Sequence, residues 1–307
     1  MEPPGSDASA AAVDGALIGR VRSFNRTVTE RVGALRDRYL GRDRPLGESR
    51  LLWEVGDGEV EVRQLRGRLG LDSGYVSRLL RSLERQGLVR VGASQRDRRV
   101  RGVRLTTAGR RERAALDRLS DDLARSFLEP LGTQQRDRLT TAMEEVERLL
   151  VSSMVRISAT DPTTDAAARW CLESYFAELD SRFAEGFDPG LSHTPDARAF
   201  LPPTGFFLVA HLRDEPVACG GLQLADDGTV ADLKRMWVAP TARGLGLGRR
   251  LLAELEARAA AAGATTVRLD TNRVLTEAIA LYRSAGYREV PAFSTEHYAD
   301  HWFEKQL

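Results

Sequence analysis

The most specific chemical signal in the chain is the run RGLGLG at residues 243–248, where three glycines alternate just before a long amphipathic stretch. Glycines let backbone N–H groups approach an anion closely, because no side chain stands in the way. The amino end of a helix adds electrostatic attraction for the same anion. The loop therefore predicts a phosphate-binding site.

Two familiar kinds of phosphate loop fit this run poorly. A Walker A loop continues with Lys and then Ser or Thr, whereas Arg249 and Arg250 follow the last glycine here. A dinucleotide-binding loop has the spacing G-x-G-x-x-G, with a ribose-binding acid after the next strand. Asp270 stands at that place, but the glycine spacing differs and Pro240 interrupts the chain before the glycines. A glycine-rich turn without a ligand is the remaining alternative, and it leaves Arg243 unexplained.

A third kind of loop matches. The run RGLGLG resembles the R/Q-x-x-G-x-G/A loop of the GNAT N-acetyltransferases, with Arg243, Gly246 and Gly248 in its defining positions. Asn272, the pair Leu281 and Tyr282, and the pair Gly286 and Tyr287 match a second pattern of that family. The resemblance covers residues 165–307. It implies an α+β acyl-CoA N-acyltransferase fold, with acetyl-CoA as the cofactor and an amine as the acetyl acceptor.

The resemblance also implies where the cofactor binds. Strand 231–238 is expected to splay from a parallel strand at 265–270, so that the pantetheine arm enters the gap. A backbone N–H at a bulge in the first strand would polarise the thioester carbonyl. The implied cofactor-binding residues are Met236, Trp237, Val238, Arg243, Gly244, Leu245, Gly246, Leu247, Gly248, Arg249, Asn272, Ala278, Leu281 and Tyr282.

Two side chains are candidates for proton transfer. Tyr282 would donate a proton to the departing thiolate, since a phenol with an ordinary pKa near 10 is a suitable general acid. The alternative for Tyr282 is aromatic packing against the sheet. Asp232, in DLKRMWV, stands where GNAT enzymes often have the glutamate of E-I-K-R-M-Y-V, and it would act as the base, directly or through water. The alternative for Asp232 is an exposed position on the strand.

The elements that must position these residues follow from periodicity. Thr164 or Asp165 is predicted to cap a helix over residues 166–183. Three antiparallel strands are predicted at 206–212, 216–224 and 229–238, followed by the glycine loop and its helix. A strand at 265–272, a helix at 276–286 and two end strands complete an α+β domain.

The first half contains a helix-turn-helix pattern over residues 59–89. Asp72 or Ser73 is predicted to cap its second helix and Gly87 to end it. An arginine-rich hairpin follows, with six arginines between residues 90 and 104 and its tip at 93–99. A solvated charged loop is the alternative for the hairpin. The candidate DNA-binding residues are Ser73, Tyr75, Ser77, Arg78, Arg81, Arg85, Arg96, Asp97, Arg98 and Arg99.

This half is similar to the MarR family of transcriptional regulators, through residues 80–89, the DRR run at 97–99 and the stretch from Leu105 to Gly109. The resemblance implies a mostly-α winged helix-turn-helix that binds double-stranded DNA, with Asp97 and Arg99 organising the wing. It also implies a homodimer joined through segments 14–40, 107–128 and 133–155. An apolar stripe on the last segment predicts either that interface or packing within one chain.

Composition is consistent with two globular domains. Residues 1–155 hold 29 arginines against 23 acidic residues, whereas residues 156–307 hold 16 basic against 21 acidic residues. A basic half next to an acidic half suggests that the first half binds a polyanion. Two cysteines are too few for a disulfide framework, and the chain has neither a membrane span nor a signal peptide, so we expect a cytoplasmic protein without a membrane partner.

Four segments are therefore predicted: a loose tail at 1–13, a MarR-like domain at 14–155, a linker at 156–164 and a GNAT domain at 165–307. His297 and His301 have the spacing of a helical metal site, but the local sequence offers no third ligand and we predict no metal. The sequence predicts a DNA-binding regulator that also acetylates an amine. The family resemblance implies that this amine belongs to a small molecule. The alternatives are a regulator whose GNAT domain senses acyl-CoA without turnover, and a winged helix that only dimerises.

Overall fold

The computed structural model describes residues 14–36, 38–95, 97–192 and 196–307. The chain divides into two compact units, residues 1–137 and 138–307. Each unit has its own hydrophobic core. The predicted tail at 1–13 lies outside the described residues. In the described part of the chain, no helix is long and apolar enough to cross a membrane.

The first unit combines helices with one small sheet. Its elements are α1 (Gly15–Arg31), α2 (Leu46–Val55), β1 (Val60–Glu61), α3 (Val62–Leu69), α4 (Ser73–Arg85), β2 (Val89–Ala93), β3 (Arg101–Leu105) and α5 (Thr107–Leu128). The strands pair in the order β1-β3-β2, and β2 and β3 form an antiparallel hairpin. This arrangement confirms the predicted winged helix-turn-helix.

Local signals set the limits of these helices. The Asp72 carboxylate accepts a hydrogen bond from the Tyr75 N–H at 2.8 Å and caps α4, so Asp72 rather than Ser73 is the cap. Gly87 lies past the end of α4 with a φ of +70°, as predicted. Within the segment 14–40, which the resemblance placed at a dimer interface, α1 ends at Arg31, and Gly33 takes a left-handed conformation with a φ of +68°.

The second unit is a seven-stranded sheet with helices. Its elements are α6 (Thr133–Ser153), within which the division between the units falls, β4 (Arg156–Ala159), α7 (Ala166–Arg182), β5 (Gly205–Leu212), β6 (Glu215–Leu224), β7 (Val230–Val238), α8 (Leu247–Ala261), β8 (Thr266–Thr271), α9 (Thr276–Ser284), β9 (Arg288–Glu289) and β10 (His301–Gln306). The strand order is β4-β5-β6-β7-β8-β10-β9, in which β7 and β8 are parallel. The predicted α+β order of elements is confirmed.

The predicted linker at 156–164 was wrong over its first four residues. Residues 156–159 form β4, which pairs antiparallel with β5 at the edge of the sheet. Ile157 packs against the core of the second unit. Four residues with a single large apolar side chain give too weak an alternation to be recognised in the sequence.

Strand β7 is distorted where the predicted bulge was expected. Gly221 pairs with Lys234 and Cys219 pairs with Trp237, so two residues of β7 stand opposite one residue of β6. Arg235 lies at this irregularity with a φ of +58°, which is a rare conformation for a residue with a side chain. The parallel pairing with β8 covers only the first three residues of β7. The two strands therefore separate beyond Asp232, as predicted.

Two glycines of β6 make room beside the bulge. A side chain at Gly220 would lie 2.6 Å from the Met236 sulfur, and one at Gly221 would lie 2.6 Å from the Phe200 ring. Both distances are below 3.0 Å, and nonbonded contacts of Cβ atoms in folded proteins are essentially never that short. The missing side chains let the bulged strand and the Phe200 ring pack directly on β6.

We predict that Gly109→Ala destabilises the first unit by about 1–3 kcal/mol, the usual range for overpacking. The added methyl group on α5 would overlap the Leu88 carbonyl oxygen, which accepts a hydrogen bond from the Thr106 N–H at 3.0 Å. Urea unfolding of the full chain, followed by circular dichroism, measures the change.

Gly19→Ala in α1 is the matched control, because nothing lies within 4 Å of its added methyl group. It should stabilise the protein by about 0.5–1 kcal/mol, the ordinary gain for Gly→Ala inside a helix. An equal gain for both variants would show that the Leu88 carbonyl moves aside freely.

Candidate functional site

The glycine loop borders a cavity of about 520 Å³, which we call the loop cleft. It lies between the end of β7, the loop itself and α9. Twelve of the fourteen predicted cofactor-binding residues line it: Met236, Trp237, Val238, Arg243, Gly244, Gly246, Leu247, Gly248, Arg249, Ala278, Leu281 and Tyr282. Leu245 instead packs against the hydrophobic core.

The loop has the backbone conformation that its glycines permit. Gly244 and Gly246 have φ values of +78° and +73°, which favour glycine, and Gly246 is the cap residue of α8. A side chain at Gly248 would lie 3.1 Å from Leu281 of α9. Within α8 the first amides have no carbonyl to bind, and Arg250 is the first residue whose N–H reaches back, to Gly246. The amides before it are therefore available to an anion in the loop cleft.

The arginine that opens the motif is paired with an acid that the sequence did not single out. The Arg243 guanidinium donates to both carboxylate oxygens of Glu178 at 2.6 Å. The Trp237 indole donates to the same carboxylate at 2.9 Å. Burial opposes ionisation of Glu178, but the hydrogen bonds from Arg243 and Trp237 outweigh it and keep the pKa of this carboxyl below its usual value. Glu178 lines the loop cleft. Its carboxylate therefore binds the Arg243 guanidinium, the group that was expected to bind a phosphate.

A second cavity, of about 110 Å³, lies next to the loop cleft. We call it the ring chamber because five aromatic rings line it besides that of Tyr282: Tyr175, Phe176, Phe183, Phe187 and Tyr298. Its polar lining residues include Lys234, Arg235, Asp270, Asn272 and Glu296.

Tyr282 lines both cavities. Its side chain is buried, and it lies 5.8 Å from the Tyr287 ring and 6.2 Å from the Phe303 ring between centroids. Burial, with a smaller contribution from the charge of Asp270, raises the pKa of the Tyr282 phenol well above its usual value. The phenol therefore keeps its proton throughout the neutral and moderately alkaline range. Tyr282 packs in the core and also faces the place where the two cavities meet.

The second predicted catalytic residue is placed differently. The Asp232 carboxylate accepts two hydrogen bonds from Arg268, at 2.6 and 3.2 Å. Among the described lining residues of the loop cleft and the ring chamber, Asp232 is absent. Asp270 and Glu296 are the carboxylates that line the ring chamber. Asp232 thus lines neither of the two cavities that Tyr282 lines, and its carboxylate pairs with Arg268, its neighbour on β8.

Asn272 was expected along the cofactor but lies in the ring chamber. Its side-chain amide donates to the Tyr298 carbonyl at 2.7 Å, so it fixes the segment before β10. His297 and His301 do not share a helix. His301 binds Glu289 at 2.6 Å, and His297 packs edge-on against Tyr298.

In the first unit, α4 presents a basic surface. Ser73, Arg78, Arg81 and Arg85 are exposed, whereas Tyr75 and Ser77 are half-buried. Arg78 lies over the Tyr75 ring at 5.5 Å. The buried face of α4 consists of Val76, Leu79, Leu80 and Leu83.

The wing is the hairpin formed by β2 and β3. Two side-chain carboxylates accept hydrogen bonds from backbone N–H groups near its tip. The Asp97 carboxylate accepts a hydrogen bond from the Arg99 N–H at 2.9 Å, and the Glu59 carboxylate accepts one from the Gln95 N–H at 2.9 Å. Asp97, Arg98 and Arg99 are exposed. The predicted contact Arg96 lies outside the described residues.

Comparison with known proteins agrees with both halves of this description. The model of the acetyltransferase (GNAT) family matches residues 166–287, and the MarR family model matches residues 41–100. A protein named IAA acetyltransferase from Azospirillum brasilense is 34% identical over 135 residues, which are 44% of this chain and 85% of that protein. The chain belongs to the GNAT acetyltransferase family and carries a MarR-family domain ahead of its acetyltransferase domain. Proteins with the GNAT fold use an acyl-CoA.

Solved structures with partial similarity include an acetyltransferase of the GNAT family from Staphylococcus aureus, at 18% identity and a TM-score of 0.43, covering 50% of this chain and 98% of that one. They also include FabT of Streptococcus pneumoniae in complex with DNA, at 23% identity and a TM-score of 0.37, covering 45% of this chain and 97% of that one.

We predict that Glu178→Gln binds CoA about 3–10-fold more tightly than the unchanged protein. The substitution removes the negative charge that competes for Arg243 and that would repel a phosphate, and it leaves a hydrogen-bond acceptor for Trp237. The gain should shrink with added salt, because Arg243 is partly exposed and its charge is screened. Calorimetric titration with CoA at two salt concentrations measures it.

Glu277→Gln is the matched control. Glu277 also lines the loop cleft, but it pairs with Arg182 at 2.8 Å and not with Arg243. Its removal should change CoA affinity much less. Weaker CoA binding by Glu178→Gln would show instead that Glu178 positions Arg243 for the cofactor.

Proposed function

We propose that this protein is both a DNA-binding transcriptional regulator and an acetyl-CoA-dependent N-acetyltransferase that acts on the amine of a small molecule. One observation carries the catalytic half: the Tyr282 phenol is shared by a cleft that has a glycine loop for a diphosphate and by a small chamber beside it. The acyl group and its acceptor can then meet at a single buried proton donor.

The residues of the loop cleft fit acetyl-CoA. The amides at the start of α8, together with Arg243 and Arg249, would bind the diphosphate. Met236, Trp237 and Val238 lie along the separated part of β7, where unpaired backbone groups can accept the pantetheine arm. A backbone N–H at the bulge would stabilise the negative charge that develops on the carbonyl oxygen.

The transfer needs two proton movements. Acetyl-CoA supplies an activated thioester, and attack by the neutral amine forms the C–N bond as the C–S bond breaks. Tyr282 would protonate the leaving thiolate, because its phenol carries a proton at neutral pH and lines both cavities. The proton lost by the amine would pass to a carboxylate of the ring chamber, for which Asp270 and Glu296 are better placed than Asp232.

The first unit is proposed to bind double-stranded DNA. The exposed arginines of α4 suit phosphates and base edges in a major groove. The arginines of the wing would contact the adjacent backbone or minor groove.

We also propose a homodimer through the MarR-like helices. The α1 helix exposes an apolar face made of Leu17, Ile18, Val21, Phe24 and Val28. The α6 helix likewise exposes Met143, Leu149 and Leu150. Apolar stripes of this kind on long helices are typical of surfaces that a partner covers.

We predict that Tyr282→Phe lowers kcat about 100-fold, within the usual range for loss of a general acid. The affinity for CoA should stay within about twofold, because the ring that packs in the core remains. Release of free thiol from acetyl-CoA, with the best acceptor from a panel of small amines, measures kcat, and calorimetry measures binding.

Tyr287→Phe is the control, since Tyr287 is a neighbouring buried tyrosine that lines neither described cavity. It should keep full activity. Full activity of Tyr282→Phe would remove the proposed acid. Tight CoA binding without turnover for any amine would favour an acyl-CoA sensor.

For the first unit, we predict that Arg81→Ala and Arg98→Ala each reduce the slope of log K against log salt by about 0.9, the value for one lost phosphate contact. Binding to a random-sequence duplex of about 30 base pairs, between 50 and 200 mM salt, gives the slope. Arg118→Ala on α5 removes an exposed arginine outside α4 and the hairpin, and it should leave the slope unchanged. A flat salt response of the unchanged protein would favour a winged helix that only dimerises.

A further inference from the structure

The ring chamber has a specific composition that the transfer reaction by itself does not require. Besides Tyr282, five rings line it: three come from α7 and its carboxyl end (Tyr175, Phe176 and Phe183), one from the following loop (Phe187), and one from the segment before β10 (Tyr298). Phe176 and Phe187 are stacked at 5.6 Å with an interplanar angle of 14°. Tyr298 lies 5.3 Å from Phe183 and 4.9 Å from Phe187. The rings form one continuous wall.

This wall is fixed by hydrogen bonds between distant segments. The Tyr298 hydroxyl accepts a hydrogen bond from the Asp188 N–H at 2.8 Å. The Phe187 N–H donates to the Asp180 carboxylate at 3.0 Å, and the Asn272 amide donates to the Tyr298 carbonyl at 2.7 Å. Rings held this way are in place before a ligand arrives, so little ordering entropy opposes binding.

The charges in the chamber are balanced. Lys234 and Arg235 bring two positive charges, and Asp270 and Glu296 bring two negative charges. Asp270 accepts hydrogen bonds from Lys234 at 2.6 Å and from Ser294 at 3.2 Å. A chamber of this kind has no surplus negative charge for a polyamine and no surplus positive charge for a polyanion. It suits a ligand that is zwitterionic or has one amine.

From the rings and the charges together, we propose that the acetyl acceptor is a small primary amine on a short chain attached to one aromatic ring. The ring would lie against Phe187 and Tyr298, where offset and edge contacts between aromatic rings are favourable. The amine would face Tyr282 with a carboxylate of the chamber beside it. This proposal rests on the proposed acetyl transfer: the amine nitrogen bonds to the acetyl carbon, the thioester bond breaks, the amine proton goes to the carboxylate and the Tyr282 proton to the thiolate.

The test compares acceptors of matched size with the full-length protein and acetyl-CoA. We expect kcat/KM for 2-phenylethylamine to exceed that for 2-cyclohexylethylamine by about 3–10-fold, the aromatic contribution beyond burial. It should exceed that for ethylamine by about 100-fold, since ethylamine leaves the rings uncovered. Spermidine and a lysine-containing peptide should react more slowly than 2-phenylethylamine.

A variant tests the wall itself. Phe187→Leu should raise KM for 2-phenylethylamine and abolish its advantage over the cyclohexyl amine, with no change in CoA affinity. Phe293→Leu, in the same carboxyl-terminal part of the chain but outside the described lining of the chamber, should change none of these values.

The outcomes separate the two proposals. If spermidine, the peptide or ethylamine reacts as well as 2-phenylethylamine, or if Phe187→Leu keeps the aromatic preference, the acceptor class is wrong and acetyl transfer stands. If CoA binds and no amine of any class is acetylated, the proposed catalytic function fails and the acceptor class fails with it.

Discussion

The distortion of one strand creates both cavities of the second unit. Arg235 adopts a left-handed conformation, which costs about 1–3 kcal/mol for a residue with a side chain. The surrounding packing must therefore impose it, and Gly220 and Gly221 belong to that packing, since they leave room for Met236 and Phe200 against β6. Beyond the bulge, β7 no longer pairs with β8. A regular strand would continue the ladder and close the gap. The strain thus keeps open the place where a cofactor and an acceptor can meet, and it puts Tyr282 of α9 between them.

In the loop cleft, binding of a diphosphate to Arg243 would be an exchange of one anion for another, because the guanidinium already has an anionic partner. Arg243 is already bound by the Glu178 carboxylate, so a diphosphate has to replace one anionic partner with another. The amino end of α8 favours the phosphate in this competition, because its free amides and dipole act only on a group lying in the loop. Glu178 keeps hydrogen bonds from Trp237 and Arg182 after such an exchange. Neither the arginine nor the glutamate need be left without a partner at any stage, and this keeps the barrier to binding low.

The features that sequence predicted well are those fixed by neighbours in the chain. The cap at Asp72, the glycine after α4 and the glycine loop depend on residues a few positions apart, and family resemblance supplied the bulge and the separation of β7 from β8. The features that it missed depend on distant partners. The ion pair of the Asp232 carboxylate is one of them, because its partner Arg268 lies 36 residues away along the chain. Glu178 gave no signal, because its partners Trp237 and Arg243 come from other elements. Four residues of the predicted linker form β4, because a strand this short does not show the alternation of apolar and polar residues by which strands are recognised.

The proposed chemistry and the proposed acceptor selectivity would depend on different kinds of structure in the second unit. The groups proposed to act on the thioester lie on β7, α8 and α9, regular elements whose backbone is fixed by their own hydrogen bonds. The rings of the chamber come in part from the irregular segments around Phe187 and Tyr298, which are tied together only by a few long-range contacts such as Tyr298 to Asp188. Loops of this kind accept substitutions that regular elements do not. On the proposed function, new side chains on these segments can change the acceptor while the α7 rings Tyr175 and Phe176 stay in place, whereas a change at the bulge would alter both cavities together.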